Sequence, residues 1–584
     1  MVLAQIRPGA YYDSVVLMQL QRALAALPGI QEAGAVMGTE ANKDILAQSD
    51  LTTAEVQSAK ADDLLIVVRA AEEAAAQAAI SQIDALLKRR SSGDTPDGYR
   101  PKSLEAAAQM LPDAQWVLIS TPGRYAAGVA QAALRLGKHL FLYSDNVSLE
   151  DEIALKQSAA AKSLLVMGPD CGTALVNGVG LGFANRVRRG AIGLVGASGT
   201  GLQQVTTRIH QLGGGITHAL GTGGRDLSEK VGAVTTRQSL HLLARDPATK
   251  VIVLISKPPA PQVVDELLRM VGCLDKPVII DFIGYRSAET QQGNIYFVKT
   301  LDEAADLAVE LASFDPPSAP PPSPRSRLEG HRLTSKPHPF ASSQKYLRGL
   351  FSGGTLAYEA QLLLRDYVPA VYANAPLDKR FKLEKATLSQ GHTIVDLGED
   401  EFTVGRLHPM LDNELRVKRL AQEAADPATA VILLDVVLGH GAHPDPASEL
   451  APAIAQAILS AEEAGRHLAV IAVVVGTDED PQDLGKQVEQ LEAAGAEVEF
   501  NHETAVRRAG ALVQSLHADS DLPPVDLAVL QQPVAAINVG LESFMVSLAE
   551  QGVAVIQVDW RPPAGGNERL AGILARMKGT RNQD

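Results

Sequence analysis

The chain has 584 residues, of which 46% are hydrophobic and 21% are charged, and this composition excludes wholesale disorder. The formal net charge of −15 argues against a nucleic-acid-binding surface, because no basic stripe is available to neutralise phosphates. Two cysteines, Cys171 and Cys273, cannot build a disulfide framework and indicate a reducing compartment. The opening residues lack the apolar core of a secretory signal, and no apolar run approaches the ~18 residues that span a bilayer, so we expect a cytoplasmic protein without a membrane segment.

Predicted strands and helices divide the chain into segments. The first suits a small α+β domain of the split βαβ kind. Three longer segments alternate β-branched runs with amphipathic stretches of helix length, which predicts parallel sheets with crossover helices. A stretch with eight prolines between Pro316 and Pro339 predicts an extended spacer. The predicted boundaries are 1–90, 101–190, 191–314, 315–345 for the spacer, 346–520, and 521–584 for a last strand–helix–strand unit.

Two loops share one pattern, in which a buried strand is followed by small hydroxyl and glycine residues and then by an amphipathic helix. They lie in GLVGASGTGLQQV (Gly193–Val205) and GLFSGGTLAYEA (Gly349–Ala360). Small residues allow close backbone approach, and the N–H groups at a helix start attract anions. We therefore predict phosphate binding, with two well-capped helices as the alternative. The predicted phosphate-binding residues are Ser198, Gly199, Thr200 and Gly201 in the first loop, and Ser352, Gly353, Gly354 and Thr355 in the second.

The motif GPDCGTA (Gly168–Ala174) also follows a buried strand. Its turn would display Asp170 and Cys171 beyond the carboxyl end of that strand, where ligands bind in open α/β sheets. No histidine partner for a nucleophilic thiol is visible nearby, so we favour a structural or substrate-lining role for Cys171 over catalysis.

Two arginines follow predicted strand ends. Arg225 lies in GTGGRDLSEK, where it could clamp a carboxylate or phosphate, or only balance Asp226 at a helix start. Three glycines clustered without evident structural need favour the functional interpretation. Arg406 lies in LGEDEFTVGRLHPMLD with His408 and Asp412, where substrate binding and a purely structural role are both open.

The loop LGHGAHPDPA (Leu438–Ala447) carries His440 and His443 after the apolar strand VILLDVV. The spacing is similar to a metal site, but no convincing third ligand follows, so we predict no metal. Binding of an anionic or carbonyl substrate is the more plausible use of these two histidines.

The order of GPDCGTA, RRGAIGLVGASGTGLQQV, GTGGRDL, SGGTLAYEA and VVLGHGAHPDP resembles the FdrA proteins, relatives of the succinyl-CoA synthetase α subunit. YYDSVVLM and VMGTEANKDIL are similar to the opening of FdrA, so the resemblance covers essentially the whole chain. It implies a multi-domain α/β fold. A small N-terminal α+β domain would precede a Rossmann-like domain of the CoA-binding type (101–190) and two flavodoxin-like domains of the succinyl-CoA synthetase type (191–314 and 346–520).

In succinyl-CoA synthetase two helices point their N-termini at a phosphohistidine, and the resemblance implies that the loops at 198–201 and 352–355 are those helix starts. The stretch that corresponds to the phosphohistidine loop, FIGYRSAETQQGNIYF (Phe282–Phe297), has no histidine. The Gly-rich CoA-binding loop near the synthetase N-terminus has no counterpart, and no ATP-grasp domain can be fitted.

The resemblance implies a subunit of an oxamate-type carbamoyltransferase, which converts oxalurate and phosphate to oxamate and carbamoyl phosphate in purine and allantoin nitrogen catabolism. The expected ligand is carbamoyl phosphate or phosphate, with no certain cofactor, and His440 or His443 would polarise the carbamoyl carbonyl or move a proton. Expected partners are a small anionic substrate, a DUF1116-type protein and further subunits of an oligomeric complex. One alternative is an acyl-CoA synthetase subunit, in which case CoA would bind, and another is a non-catalytic anion-binding scaffold.

Overall fold

A computed structural model gives the fold of most of the chain. The described residues are 1–10, 14–38, 42–43, 46–47, 49–60, 63–89, 101–285, 287, 289–313, 340–403, 406–516, 526, 528–561, 569–570 and 573. Most of the predicted proline-rich spacer, from 315 to 339, lies outside this set. The chain consists of two units, residues 1–517 and residues 518–584.

The N-terminal domain is a three-stranded antiparallel sheet with helices on both faces, in the strand order β1-β3-β2. Because side chains alternate along a strand, the apolar run of β3 serves two layers: Leu64 and Ile66 pack with Leu20, whereas Leu65 packs with Val56. The elements are β1 (Val2–Arg7), α1 (Ser14–Ala25), β2 (Ile30–Met37), α2 (Ala54–Ser58), β3 (Leu64–Ala70), α3 (Glu73–Ser81) and α4 (Ile83–Arg89).

A short parallel sheet follows, with the strand order β4-β5-β6 and a helix in each crossover. Its strands have only two to four residues each, and its core is built from leucine, valine and alanine side chains. The elements are α5 (Leu104–Met110), β4 (Trp116–Ile119), α6 (Gly123–Arg135), β5 (His139–Leu142), α7 (Leu149–Ala161) and β6 (Val166–Met167).

The third sheet has eight strands in the order β13-β14-β12-β11-β9-β10-β7-β8. Strands β10, β9, β11, β12 and β14 run parallel, and β9 and β11 occupy the centre. The elements are β7 (Thr173–Val176), β8 (Val179–Gly182), β9 (Arg189–Gly196), α8 (Gly199–Gln211), β10 (Ile216–Gly221), α9 (Val234–Arg245), β11 (Val251–Ser256), α10 (Pro261–Val271), β12 (Val278–Phe282), β13 (Gln291–Gln292), β14 (Ile295–Phe297) and α11 (Leu301–Ala312).

The fourth sheet is entirely parallel, with the strand order β16-β17-β15-β18-β19-β20. Its central strands are mostly apolar, as expected for a sheet covered on both faces, with Arg348 in β15 and Asp435 in β18 as buried charged exceptions. The elements are β15 (Tyr346–Phe351), α12 (Gly354–Leu364), β16 (Tyr372–Ala373), a 3₁₀ turn (Lys379–Phe381), β17 (Thr393–Asp396), α13 (Asp400–Thr403), α14 (Glu414–Ala425), β18 (Thr429–Val437), α15 (Pro446–Glu463), β19 (Ala469–Val475), α16 (Leu484–Ala493), β20 (Glu497–Glu499) and α17 (His502–Leu516).

The third and fourth sheets share one hydrophobic core. Leu194 and Val253 of the third sheet belong to the same buried cluster as Leu347 and Leu433 of the fourth. Helices α8, α11, α12 and α17 contribute their apolar faces to this cluster. The two α/β halves are therefore packed as one body, although the proline-rich segment separates them in sequence.

Residues 518–584 form a separate unit. A parallel pair, β21 (Ala535–Val539) and β22 (Ala554–Val558), is joined by α19 (Glu542–Glu550) and preceded by α18 (Ala528–Gln531). The predicted fold class is confirmed: the protein is a multi-domain α/β protein with a small N-terminal α+β domain. Among the described residues, no helix is both long enough and apolar enough to cross a membrane.

Candidate functional site

The two predicted loops meet in the structure. Helix α8 starts after the central strand β9, and helix α12 starts after the central strand β15. The Ser198 and Thr355 hydroxyls are 2.5 Å apart at this junction. A Cβ added to Gly353 would lie 2.7 Å from Cγ2 of Thr200, so only glycine allows the second loop to approach the first this closely. We call residues 198–201 and 352–355 the paired helix starts.

Several backbone N–H groups at the paired helix starts are free to bind a ligand. Ser198 caps α8 by accepting a hydrogen bond from the Gly201 N–H at 3.0 Å. Within the described part of the chain, no hydrogen bond engages the N–H groups of Gly199, Gly354 or Thr355. Gly199 and Gly354 are only half-buried. Free donors and the positive ends of two helix dipoles together favour an anion at this point.

Asp435 of β18 already occupies part of the second helix start. Its carboxylate accepts hydrogen bonds from the N–H groups of Ser352 and Gly353, both at 2.8 Å, and also from the Ser352 hydroxyl. The guanidinium of Arg416 balances the charge of Asp435 at 3.1 Å. The structure therefore reduces the predicted backbone donors of α12 to Gly354 and Thr355. The sequence signal was a single aspartate inside the apolar run VILLDVV.

A second carboxylate, Asp396, lies beside the paired helix starts. It ends β17, and its Oδ2 would be 2.5 Å from a Cβ added to Gly354. Burial raises the pKa of Asp396 to about 7, against the opposing charge of Lys257. A carboxyl group with this pKa can both take up and release a proton near neutral pH.

Lys257 is the cation of the site, and sequence reasoning missed it. It directly follows β11, which lies between β9 and β12. Its ammonium is 5.8 Å from the ring centroid of Tyr358 on α12, and its charge lowers the pKa of both Asp170 and Asp396. Among the described residues, we find no hydrogen bond or ion pair that engages this ammonium. The signal that could have found it is a lysine at the carboxyl end of a central parallel strand.

His408 lies near the second helix start. A Cβ added to Gly398 would be 3.0 Å from His408 Nε2 and 2.9 Å from the Ser352 carbonyl oxygen. The ring packs against Phe183, with centroids 5.2 Å apart. Burial and the charge of Arg416 lower the pKa of His408 to about 4, so the ring is neutral at pH 7.

The other two predicted histidines have different surroundings. His440 is exposed, and its backbone pairs with Ala184 in an isolated bridge. His443 is buried, and its Nε2 is 3.3 Å from Oε1 of Glu449. In the part of the chain that the structure describes, no hydrogen bond joins either ring to the paired helix starts. Their assignment as catalytic groups stays a prediction.

The motif GPDCGTA packs against the first helix start, because the Thr173 hydroxyl would be 3.4 Å from a Cβ added to Gly199. Asp170 lies in the same turn, where burial and the charges of Asp145 and Asp400 raise its pKa to about 6. Cys171 is 2% exposed, and burial raises the pKa of its thiol to about 12. These surroundings favour the structural role for Cys171.

Two of the three glycines before Arg225 have a structural reason that the sequence did not reveal. A Cβ on Gly221 would collide with the Thr173 carbonyl oxygen and with Cys171 Sγ. Gly223 has a φ of +85°, and a Cβ there would collide with the Pro169 carbonyl oxygen. The premise that the cluster has no structural need is therefore wrong for Gly221 and Gly223, which let two loops pack together.

Arg225 itself is engaged within the protein. Its Nε is 2.9 Å from Oε2 of the buried Glu152, and its Nη2 donates to the Val147 carbonyl oxygen at 2.8 Å. Glu152 also holds Lys156, which in turn pairs with Asp226 at 2.7 Å. A substrate carboxylate would have to displace Glu152, and the predicted clamp stays a prediction.

Arg406 lies against a cavity of about 50 Å³ between the N-terminal domain and the segment that follows β17. No described contact joins Arg406 to the paired helix starts. Its predicted part in substrate binding also stays a prediction.

Three family models match parts of the chain. Residues 1–102 match the AllF heavy metal-associated domain, residues 187–273 match the CoA-binding domain, and residues 350–512 match the CoA-ligase family. Domains of the CoA-binding and CoA-ligase types are confirmed, although the CoA-binding match covers 187–273 and not the predicted range 101–190. The protein is of the succinyl-CoA synthetase-like type. The heavy-metal name does not fit the residues present, because both cysteines lie outside 1–102. The described residues hold no cluster of three metal-ligating side chains, so we derive no step through a metal.

Individual proteins are also similar. YahF of Escherichia coli (strain K12) is 40% identical over 498 residues, which cover 84% of this chain and 94% of YahF. The α subunit of the ADP-forming succinate–CoA ligase of Aquifex aeolicus (strain VF5) is 27% identical over 146 residues, which cover 24% of this chain and 47% of that subunit. The solved structure of Ca. Korarchaeum cryptofilum dinucleotide-forming acetyl-coenzyme A synthetase 1, in complex with phosphate and ADP, is 16% identical with a TM-score of 0.28, and the match covers 70% of this chain and 85% of that one.

Proposed function

Because the chain belongs to the family of Escherichia coli YahF and has domains of the CoA-binding and CoA-ligase types, we propose that it is a subunit of an acyl-transfer enzyme. The enzyme would exchange an acyl group between phosphate and the thiol of coenzyme A. One observation carries this proposal: the 2.5 Å contact between the Ser198 and Thr355 hydroxyls, which brings two helix N-termini to one point.

The paired helix starts supply what a departing phosphate needs. The N–H groups of Gly199, Gly354 and Thr355 would donate to its oxygens, and the ammonium of Lys257 would offset its charge. Donors fixed before the reaction stabilise charge as it develops, and removal of one such donor typically costs about 100- to 1,000-fold in rate.

Acyl transfer from an acyl phosphate to coenzyme A forms one bond and breaks another. The sulfur of coenzyme A attacks the carbonyl carbon of an acyl phosphate, so that a carbon–sulfur bond forms. The carbon–oxygen bond to phosphate breaks, and phosphate leaves with the bonding electron pair. The thiol proton passes to Asp396, whose pKa of about 7 suits it as the acceptor.

Carbamoyl transfer is a second candidate, and a specific observation favours it. The segment Phe282–Phe297 contains no histidine, so a phosphohistidine pathway cannot run through it. Transfer from carbamoyl phosphate to an amide nitrogen, as in oxamate carbamoyltransferases, needs the same phosphate site and the same proton acceptor. We propose a DUF1116-type protein and further subunits of purine and allantoin catabolism as the partners in that case.

A single glycine substitution tests both candidates. Gly353→Ala places a methyl group 2.7 Å from Thr200 Cγ2 and should separate the paired helix starts. We expect phosphate-dependent thermal stabilisation to be lost, with acyl transfer slowed by about 100-fold or more. Gly128→Ala is the matched control, because its added Cβ on α6 meets no atom within 4 Å.

The substrates separate the two candidates. Thioester formation from coenzyme A and acetyl phosphate supports the ligase-type reaction, whereas phosphate release from carbamoyl phosphate and oxamate supports the carbamoyl reaction. Full activity of Gly353→Ala would contradict both and would favour a non-catalytic scaffold. A wild-type chain that binds neither phosphate nor coenzyme A at millimolar concentration would also contradict the proposal.

A further inference from the structure

The first helix start faces the beginning of strand β7. Thr173 is the first residue of β7, which lies between β10 and β8 in the third sheet. The Thr173 hydroxyl oxygen would be 3.4 Å from a Cβ added to Gly199, and the Cα of Gly172 would be 3.8 Å from the same Cβ. The beginning of β7 and the first residue of α8 are therefore separated by a gap that one methyl group would fill.

The Thr173 hydroxyl has no hydrogen-bond partner among the described residues, although Thr173 is only 1% exposed. A buried hydroxyl without a partner costs free energy, because it has lost its hydrogen bonds to water and gained none in return. Gly172 and Gly199, which flank the hydroxyl, are only half-buried, so a ligand bound at Gly199 can reach it. An unsatisfied hydroxyl at such a position indicates a hydrogen bond that forms when a ligand binds.

The backbone of Thr173 is held in place on both sides. In β8, Gly182 lies opposite Thr173 in the antiparallel ladder. On the other side, a Cβ added to Gly221 of β10 would collide with the Thr173 carbonyl oxygen, which also accepts the Cys171 thiol at 3.6 Å. The hydroxyl is therefore fixed before any ligand arrives, and a donor that needs no reordering binds more strongly.

We propose that the Thr173 hydroxyl donates a hydrogen bond to the phosphate group bound at the paired helix starts, beside the N–H of Gly199. This inference rests on the proposed function, because it takes the phosphate site as given. The hydroxyl adds a directed hydrogen bond without adding charge. A tetrahedral anion would thus be bound from β7 as well as from α8 and α12, and Thr173 is a residue of the binding site that the two helix starts alone do not reveal.

The test is a calorimetric titration of the full chain with inorganic phosphate. Thr173→Val removes the hydroxyl and should raise the dissociation constant about tenfold. It should not lower the melting temperature measured without phosphate, because the hydroxyl has no partner in the described structure. Thr173→Ser keeps the hydroxyl and should recover most of the affinity.

Thr429→Val is the matched control. The Thr429 hydroxyl is also buried and also lacks a partner among the described residues. Thr429 begins β18, however, whereas the helix starts follow the carboxyl ends of the parallel strands. Phosphate should therefore bind to Thr429→Val as it binds to the wild type.

Gly199→Ala provides a second variant that leaves Thr173 intact. Its methyl group would lie in van der Waals contact with the Thr173 hydroxyl and cover it. We expect Gly199→Ala to weaken phosphate binding, and the double variant Thr173→Val/Gly199→Ala to bind phosphate no more weakly than Gly199→Ala alone. Losses of affinity that add in the double variant would overturn the inference.

A purely structural role for Thr173 predicts the reverse result, namely a lower melting temperature of Thr173→Val with unchanged phosphate affinity. That result would overturn this inference and leave the proposed function standing, because the wild type would still bind phosphate. A wild-type chain that binds no phosphate would overturn both. The two proposals can therefore fail separately.

Discussion

The side-chain amide of Asn185 donates to the carboxylate of Asp480 at 2.8 Å, across 295 positions of sequence. The same Nδ2 donates to the Leu438 carbonyl oxygen at 2.9 Å, and the Asn185 oxygen accepts from Gln203 of α8 at 3.1 Å. Asn185 is 1% exposed. One buried asparagine thus joins the third and fourth sheets behind the paired helix starts.

Asn185→Ala should therefore destabilise the chain. Leu438, Asp480 and Gln203 would each lose a buried partner, and an unpaired buried polar group costs about 1–3 kcal/mol. Urea denaturation should show a loss of this order or somewhat more. Gln456→Ala, on the exposed face of α15, is the control and should change the midpoint little. If Asn185→Ala leaves the free energy of unfolding unchanged, this polar junction does not hold the two halves together.

Asp281 makes stability fall as pH rises. Burial and the neighbouring acids Glu303 and Asp302 raise its pKa in the folded chain to about 8, and neither carboxyl oxygen has a hydrogen-bond partner in the described structure. In the unfolded chain the pKa of this carboxyl group is near the ordinary aspartate value of 3.8. The folded state therefore binds more protons between these two values, and stability is lost as pH rises through this window.

Asp281→Asn removes the titrating group and should flatten that slope. Urea midpoints at pH 5, 6, 7 and 8 should fall for the wild type and fall less for the variant, which should be the more stable of the two at pH 8. Asp265→Asn on the exposed surface of α10 is the control and should keep the wild-type slope. If the urea midpoints of the wild type and of Asp281→Asn change with pH in parallel, Asp281 is not the group that causes the loss of stability.

Asp396 sets the expected pH dependence of acyl transfer. With a pKa raised to about 7, it is protonated below that pH and cannot accept the proton of the attacking group. The value of kcat/KM should therefore rise about tenfold per pH unit up to roughly pH 7 and then level off. Asp396→Asn should transfer the acyl group slowly, and its kcat/KM should not show this rise with pH. If kcat/KM of Asp396→Asn still rises with pH as it does in the wild type, another group accepts the proton.

Lys257→Ala should weaken phosphate binding, because the variant removes a positive charge that acts on both Asp170 and Asp396. We expect the dissociation constant for phosphate to rise by about tenfold or more, with partial recovery in Lys257→Arg. Calorimetric titration with phosphate measures the dissociation constants of both variants. Lys299→Ala, at an exposed lysine after β14, should bind phosphate as the wild type does. Unchanged affinity in Lys257→Ala would remove this residue from the site.

The fold class and the two helix starts could be predicted because both depend on local patterns, whereas the meeting of the two loops was implied only by the family resemblance. Alternating β-branched runs and amphipathic stretches identify parallel sheets, and a glycine–hydroxyl turn after a strand identifies a helix start. The groups that complete the site depend instead on which strands become neighbours. Asp435 lies within β18, Lys257 directly follows β11, and His408 lies in the segment after β17. Only the order β17-β15-β18 and the place of β11 bring these three residues to the site.

The glycines of GTGGRD show that a structural glycine can be mistaken for a functional one in sequence. Their tight spacing favoured a functional interpretation, yet each of the first two is required by a neighbouring backbone carbonyl. A glycine that avoids a collision with its own fold and one that admits a ligand look alike in sequence. Only the atoms around the position distinguish them.

The two helix starts belong to one chain and therefore occur in a fixed ratio of one to one. The common core of the third and fourth sheets holds them next to each other. If each belonged to a separate polypeptide, the site would be assembled by association and would disappear when the protein is diluted. Here one chain carries both, so the effective concentration of one helix start at the other is set by covalent connection and packing. The fraction of intact paired helix starts should stay constant at any protein concentration at which the chain remains folded.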